Sequence, residues 1–266
     1  MRFASSGWLW TCGGALLLGA FVLVERRAAE PVLPPGIFRR PIIAVSVGLG
    51  LLLGIALIGL TEYIPTYLQV GAGASALLGG AALAAMLFGW PVSSTIAGAV
   101  YLSRGFRFNI VLGAILALVG GVALALTAQW PSPWIVAVCC LVIGFGFGWV
   151  AVPALIAAQA TVPWEERGVA TGTVMFSRNL GQAIGAAILG AVANGVIAQR
   201  GGDPSEPDTI VAASEVVFIA IAVVLAAQLL LSFFVPRDRA LATIDPVAER
   251  EAAEESVLGI GVERSP

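Results

Sequence analysis

The sequence predicts an all-α integral membrane protein, a polytopic bundle of about seven transmembrane helices. Composition is the first reason: 59% of the 266 residues are hydrophobic and 11% are charged, whereas about a quarter of a soluble domain is charged. The second reason is a series of apolar runs of about the 20 residues that a helix needs to cross a bilayer. The runs lie at 7–24, 42–64, 76–100, 108–128, 134–157, 170–198 and 213–235.

Short connections join these runs, so successive connections are expected on alternate sides of the membrane. One side collects Arg26, Arg27, Arg39, Arg40, Arg104, Arg107, Arg167, Arg237 and Arg239, and the other only Arg2 and Arg200. The positive-inside rule makes the arginine-rich side cytoplasmic. We therefore expect a multi-pass protein of the cell membrane, surrounded by lipid, with its N-terminus outside and its C-terminus inside.

The predicted spans divide the chain into three parts. Residues 1–41 form a single linker helix followed by a cytoplasmic proline-rich connector, and residues 42–235 form a six-helix unit. Residues 236–266 carry Glu249, Glu251, Glu254 and Glu255. This composition predicts an acidic, disordered cytoplasmic tail.

Several function classes lack the side chains that they need. The sequence contains neither His nor Lys, and its three cysteines all lie in apolar runs, two of them adjacent at Cys139 and Cys140. No Asp falls inside a predicted span. Aspartyl, serine–histidine and metal mechanisms therefore lack their groups, and we expect no enzyme, no cofactor, no bound metal and no nucleic-acid partner.

The sixth run carries the one strongly charged residue that lies well inside a long apolar stretch, Arg178. Helical spacing places Thr171, Arg178 and Gln182 on one face, with Asn179 beside them. Gly181 and Gly185 form a small-xxx-small pair that lets another helix approach closely. Arg178 then either faces the bundle interior or lies near the cytoplasmic end and extends its guanidinium to the interface.

The second run ends in a polar stretch that contains Glu62 and Gln69. Glu62 has two interpretations, a residue of substrate or proton coupling and an interfacial residue at the outer edge of the core. Gly50 and Gly54 give this run its own close-packing pair. Pro65 is expected to bend the helix.

Two further runs carry glycine or proline patterns. In the fifth, Gly144 and Gly148 belong to an alternation of small and bulky residues, which predicts close packing, with a gating hinge as the alternative. The third run is rich in Gly and Ala and contains Pro91. We expect it to be an interior helix.

Three sets of short motifs follow one another along the chain. They are Glu25-Arg26-Arg27 with Pro31 and Phe38, Tyr67-Leu68-Gln69-Val70 with Gly73, Ser75 and Gly80, and Arg167-Gly168-Val169-Ala170 with Arg178-Asn179-Leu180-Gly181 and Ile184-Gly185. Together they resemble the major facilitator superfamily, specifically its fourteen-helix drug:proton antiporters. In the superfamily's cytoplasmic loop motif, Gly98, Gly105 and Arg107 fit, whereas Leu102 stands where an Asp is expected. By this resemblance the chain corresponds to helices eight to fourteen, the C-terminal half.

The resemblance implies a secondary transporter, or half of one, that exports small amphipathic or drug-like compounds in exchange for protons. The implied partners are the substrate, protons and a missing N-terminal half, encoded upstream in the same gene or supplied by a separate chain. The transport and coupling candidates are Arg178, Gln182, Asn179, Thr171, Glu62 and Gln69. A seven-span receptor or sensor and a non-transporting truncated fragment stay open as alternatives.

Overall fold

The fold is known from a computed structural model that describes residues 14, 16, 40–201, 203 and 205–236. Six helices in this part are long and apolar enough to cross a membrane. They are α1 Pro41–Thr66, α2 Ala76–Tyr101, α3 Ser103–Leu126, α4 Pro133–Gln159, α5 Arg167–Gln199 and α6 Pro207–Ser232. They correspond to the second to seventh predicted spans. The predicted first span, the connector before Arg40 and the tail beyond Pro236 lie outside the described residues.

Three of the helices begin with a proline. Pro41, Pro133 and Pro207 occupy the first turns of α1, α4 and α6, where the missing N–H costs no helical hydrogen bond. The sixth helix therefore starts six residues before the apolar run does, and Asp208 lies in its first turn. Asp208 thus belongs to the helix but precedes the predicted apolar run, since a helix can extend past the hydrocarbon and a carboxylate is favourable at a helix N-terminus.

The first helix is longer than the apolar run predicts. It passes through Pro65 and continues as one π-helical turn, Tyr67–Gly71. Tyr67 is fully buried there, donates a hydrogen bond from its hydroxyl to the Ala128 carbonyl oxygen at 2.8 Å, and meets the Phe218 ring edge-on at 5.2 Å. This turn joins the end of α1 to the α3–α4 connection and to α6.

The chain is helical from Ala76 to Leu126 except for a kink at Gly105, close to the boundary between α2 and α3. With φ at 82° and ψ at 168°, Gly105 has a backbone conformation that side-chain-bearing residues rarely adopt. The buried Asn109 amide donates to the Gly105 carbonyl oxygen at 2.9 Å. The break therefore falls in the predicted connection between the third and fourth spans.

Glycines allow α4 to pack closely against both α2 and α3. A Cβ added to Gly144 of α4 would contact Met86 of α2, and one added to Gly148 would contact Trp90 of α2. On α3, a Cβ added to Gly113 would contact Trp149 of α4, and one added to Gly120 would contact Ile143 of α4. Residue numbers on α2 rise with those on α4, and residue numbers on α3 fall. The helices α2 and α3 consequently run in opposite directions along α4.

Burial is uneven among the six helices. In the apolar stretch of each span, the described chain buries 56% of the residues of α1. It buries 28% for the span of α2 and 22% for the span that contains α5. Leu87 and Phe88 of α2 are 59% and 70% exposed. Within the part of the chain that the structure describes, only one stripe of α2 meets neighbours, and the interior position of the third span stays a prediction.

We expect Gly181→Ala to destabilise the chain and Gly190→Ala on the same helix to leave its stability equal or higher. A Cβ at Gly181 would lie 2.8 Å from the Leu51 carbonyl carbon, whereas one at Gly190 would meet nothing within 4 Å. Overpacking costs about 1–3 kcal/mol, and both changes gain the same helix propensity. Thermal unfolding of the purified variants in detergent measures the difference, and equal midpoints would contradict the backbone contact.

Candidate functional site

The candidate site is built on a close contact between α1 and α5. A Cβ on Gly54 would overlap the carbonyl oxygen of Arg178, and a Cβ on Gly181 would overlap the carbonyl oxygen of Leu51. Gly50 lies against Ser177, and Gly185 lies against Ile55. We call this contact the glycine seam. It fixes the height and rotation of α5 relative to α1 by backbone contact.

The seam places Arg178 beside a small cavity of about 30 Å³ between α1, α4 and α5. The wall is largely apolar, with Leu49, Leu53 and Val150 among its residues. Arg178 is half-buried, and its Nε atom is buried without a hydrogen-bond partner among the described residues. A buried donor without a partner costs free energy until one is supplied. The cavity beside it has the volume of about one water molecule, which would supply that partner.

Two hydrogen bonds tie α4 to the helices of the seam. The Gln159 amide donates to the Thr171 hydroxyl at 2.7 Å, and that hydroxyl donates to the Arg167 carbonyl oxygen at 2.8 Å. The buried Ser46 hydroxyl of α1 donates to the Ala154 carbonyl oxygen at 2.9 Å. Thr171 thus has a structural partner, in contrast to the Arg178 Nε.

The other polar residues of α5 differ in exposure. Gln182 is half-buried, and its backbone nitrogen lies close to Gly54, 3.0 Å from the position of a Cβ there. Asn179 is exposed. The structure therefore brings Arg178 and Gln182 to the seam, whereas Asn179 points away from the described helices.

Glu62 lines a different space, at the end of the bundle that the arginine distribution predicts to be outside, and we call it the outer groove. This groove of about 400 Å³ lies between α1, α5 and α6 and includes Asn194 and Ser214. Glu62 is exposed, and its neighbour Tyr63 donates to the Leu189 carbonyl oxygen at 3.2 Å. Gly54 abuts Arg178, so Glu62 lies about 12 Å farther along α1 at 1.5 Å per residue. The structure does not bring Glu62 and Arg178 into one site.

Gln69 lies beyond the outer groove. It is exposed in the π-helical turn, and its amide nitrogen approaches Gly79 at the start of α2. It is not among the residues that line the outer groove or the Arg178 cavity. Of the six transport and coupling candidates, the structure thus places Arg178 and Gln182 at the seam, Thr171 near it, and Glu62 in the outer groove.

Sequence reasoning missed several polar residues that join helices. Glu215 of α6 is half-buried and accepts a hydrogen bond from the Gln129 amide. The sequence signal for Glu215 was its position as a lone carboxylate near the start of an apolar run. Ser46 and Gln159 gave no comparable signal, because a single Ser or Gln is common at the end of an apolar run.

The acidic and cysteine side chains do not form a metal centre in the described ranges. No group of three or more His, Cys, Asp or Glu residues there could hold a metal ion. The outer groove, at about 400 Å³, has the volume of a small-molecule pocket, whereas the cavity beside Arg178, at about 30 Å³, does not.

Comparison with known proteins identifies the family. The model of the Major Facilitator Superfamily matches residues 3–186. The chain is 35% identical over 182 residues to an uncharacterized MFS-type transporter of Mycobacterium tuberculosis strain H37Rv, covering 68% of this chain and 26% of that protein. It is 34% identical over 189 residues to the puromycin resistance protein pur8 of Streptomyces alboniger, covering 70% and 38%. It is 30% identical over 176 residues to the multidrug transporter protein MdtP of Bacillus subtilis, covering 66% and 32%.

The matched region thus spans between about a quarter and two fifths of the length of these relatives. More than half of the chain matches the family model, and six helices in the described part can cross a membrane. The chain is a multi-pass membrane protein that belongs to the Major Facilitator Superfamily.

Proposed function

We propose that this chain is the C-terminal half of a proton-coupled secondary transporter that exports small amphipathic or drug-like compounds from the cell. The observation that carries the proposal is Arg178, a half-buried cation on a largely apolar cavity wall with an unpartnered Nε. The cavity of about 30 Å³ is only water-sized, so the proposed substrate space lies between this wall and the second half. An apolar wall with a single strong polar group suits varied amphipathic solutes there, because it imposes no rigid set of polar contacts. Two relatives, a puromycin resistance protein and a multidrug transporter protein, support this substrate class.

The need for a second half is supported by the uneven burial. The spans of α2 and α5 bury only 28% and 22% of their most apolar windows within the described chain. In the proposed transporter these faces pack against the N-terminal half, and the two halves rock about a site between them. The second half is encoded upstream in the same gene or supplied as a separate chain. The arginine-rich end, where Arg40 pairs with Glu166 at 3.9 Å, faces the cytoplasm of the cell.

Arg178→Ala is expected to reduce export by the complete transporter about tenfold or more, while Arg200→Ala leaves it within about twofold. A hydrogen bond to a charged group contributes about 1.5–3 kcal/mol, and 1.4 kcal/mol corresponds to a factor of ten. Arg200 is exposed at the opposite end of α5, so it controls for loss of charge. Dye extrusion from efflux-deficient cells at matched expression measures both. Equal rates would assign Arg178 to the interface instead.

Glu62→Gln is expected to abolish transport driven by a proton gradient while changing substrate affinity by less than about twofold. Glutamine keeps the shape of the side chain but cannot release a proton. Glu215→Gln is the matched control, because Glu215 is also near the outer end but does not line the outer groove. Substrate binding and pH-driven uptake into everted vesicles separate the two effects. Gradient-driven transport retained by Glu62→Gln would assign the coupling to another residue.

The chain of 266 residues is expected not to transport when it is expressed alone. Without its second half the exposed part of the half-buried Arg178 would face lipid, where a charge near the core costs on the order of 3 kcal/mol. Dye extrusion by efflux-deficient cells, measured with and without an uncoupler, tests this. Uncoupler-sensitive extrusion by the chain alone would replace the half-transporter with a homodimer of this chain.

A further inference from the structure

A third cavity lies away from both the seam and the outer groove, at the start of α3. It is an open groove of about 440 Å³, lined by Arg104, Arg107, Phe108, Val111, Leu112, Ile115 and Phe233. We call it the basic groove. Its residues belong to the first turns of α3 and to the segment after α6, at the same end of the bundle as Arg40. It does not involve α5, so the proposed transport site does not account for it.

The two cations of the basic groove have no acidic partner in the described structure. The guanidinium of Arg104 lies 5.1 Å from the centre of the Phe108 ring, and Arg107 is half-buried. The ion pair found in the described ranges joins Arg40 to Glu166 and involves neither residue. Position 102, close to both in sequence, is Leu. Among the described residues, two positive charges therefore remain uncompensated at one end of the groove.

The groove changes character along its length. Ile115 lies about 12 Å along α3 from Arg107 at 1.5 Å per residue. Phe108, Ile115 and Phe233 are 39%, 41% and 48% exposed. A span that starts at Ser103 places Arg104 and Arg107 at the boundary between water and membrane, with the apolar residues deeper. A ligand that fits is negatively charged at one end and a long hydrocarbon at the other.

We propose that the basic groove binds an anionic phospholipid. The phosphate lies between Arg104 and Arg107, and one acyl chain follows Val111 and Ile115 beside Phe233. Arginine suits this role because its planar guanidinium can donate two hydrogen bonds to one phosphate. Basic pockets between transmembrane helices are a known setting for anionic headgroups. This inference stands independently of what the transporter carries.

The test is lipid binding to the purified full chain in detergent, counted by native mass spectrometry. We expect a preference for phosphatidylglycerol over phosphatidylcholine with the same acyl chains. A basic residue near a membrane surface contributes a factor of about five, so Arg104→Gln with Arg107→Gln is expected to reduce phosphatidylglycerol binding by about tenfold or more. Arg200→Gln, the matched loss of charge at the other end, is expected to leave binding within about twofold.

Two further measurements do not depend on whether the double glutamine variant folds. Arg104→Lys with Arg107→Lys keeps both charges and is expected to retain most of the preference. The unaltered chain should hold phosphatidylglycerol in the presence of excess inorganic phosphate, because the acyl chain also binds. Displacement by phosphate, or equal binding of the two lipids, would overturn the proposal.

The acidic tail is the competing occupant, since Glu249, Glu251 and Glu254 follow α6 in the sequence. If the tail filled the basic groove, the full chain would show no lipid preference, and deletion of residues 245–266 would create one. That outcome would also overturn the proposal. A preference that is already present in the full chain and is unchanged by the deletion supports the lipid.

Discussion

The bundle depends on backbone contact at glycines. Lipid tails are as apolar as leucine side chains, so transmembrane helices associate through close packing and not through a hydrophobic driving force. The glycine seam joins α1 to α5 in this way, and Gly144 and Gly146 do the same for α4 against α2 and α3. These contacts allow little adjustment, because a backbone atom cannot rotate away as a side chain can. The position of Arg178 is thus a consequence of backbone geometry at Gly54.

Interhelical hydrogen bonds add direction to this packing. Ser46 to Ala154 joins α1 to α4, Gln159 to Thr171 joins α4 to α5, and Tyr67 to Ala128 joins the π-helical turn to the α3–α4 connection. Such bonds contribute about 0.6 kcal/mol on average in a membrane, so they select one arrangement more than they stabilise it. Each places a donor opposite an acceptor. Among the described residues, buried side-chain atoms of Ser94, Asn109 and Gln228 also lack a hydrogen-bond partner. Arg178 differs from these residues in its charge and in lining the cavity beside the glycine seam.

Hydropathy predicted the order of the six described helices and their approximate bounds, because apolar length is a direct requirement of the bilayer. It missed the first turn of α6, since Pro207 and Asp208 belong to the helix but not to its apolar part. The 3.6-residue period predicted that Arg178 and Gln182 share a face. It could not predict that Glu62 lines another cavity, because that depends on which helices are neighbours. Glu62 and Asn194 are brought together by the α1–α5 packing, which no local pattern encodes.

The distribution of burial fits a body that moves as a unit. In alternating access, rigid halves move against each other, so contacts within a half must be harder to break than contacts between halves. The glycine seam provides the first kind of contact, whereas the exposed stripes of α2 and α5 are available for the second. Arg178 lies on α5, the helix that shares in both. In the proposed transporter, Arg178 keeps its position within its own half while its neighbours in the other half change. A substrate-binding residue of such a transporter needs this property.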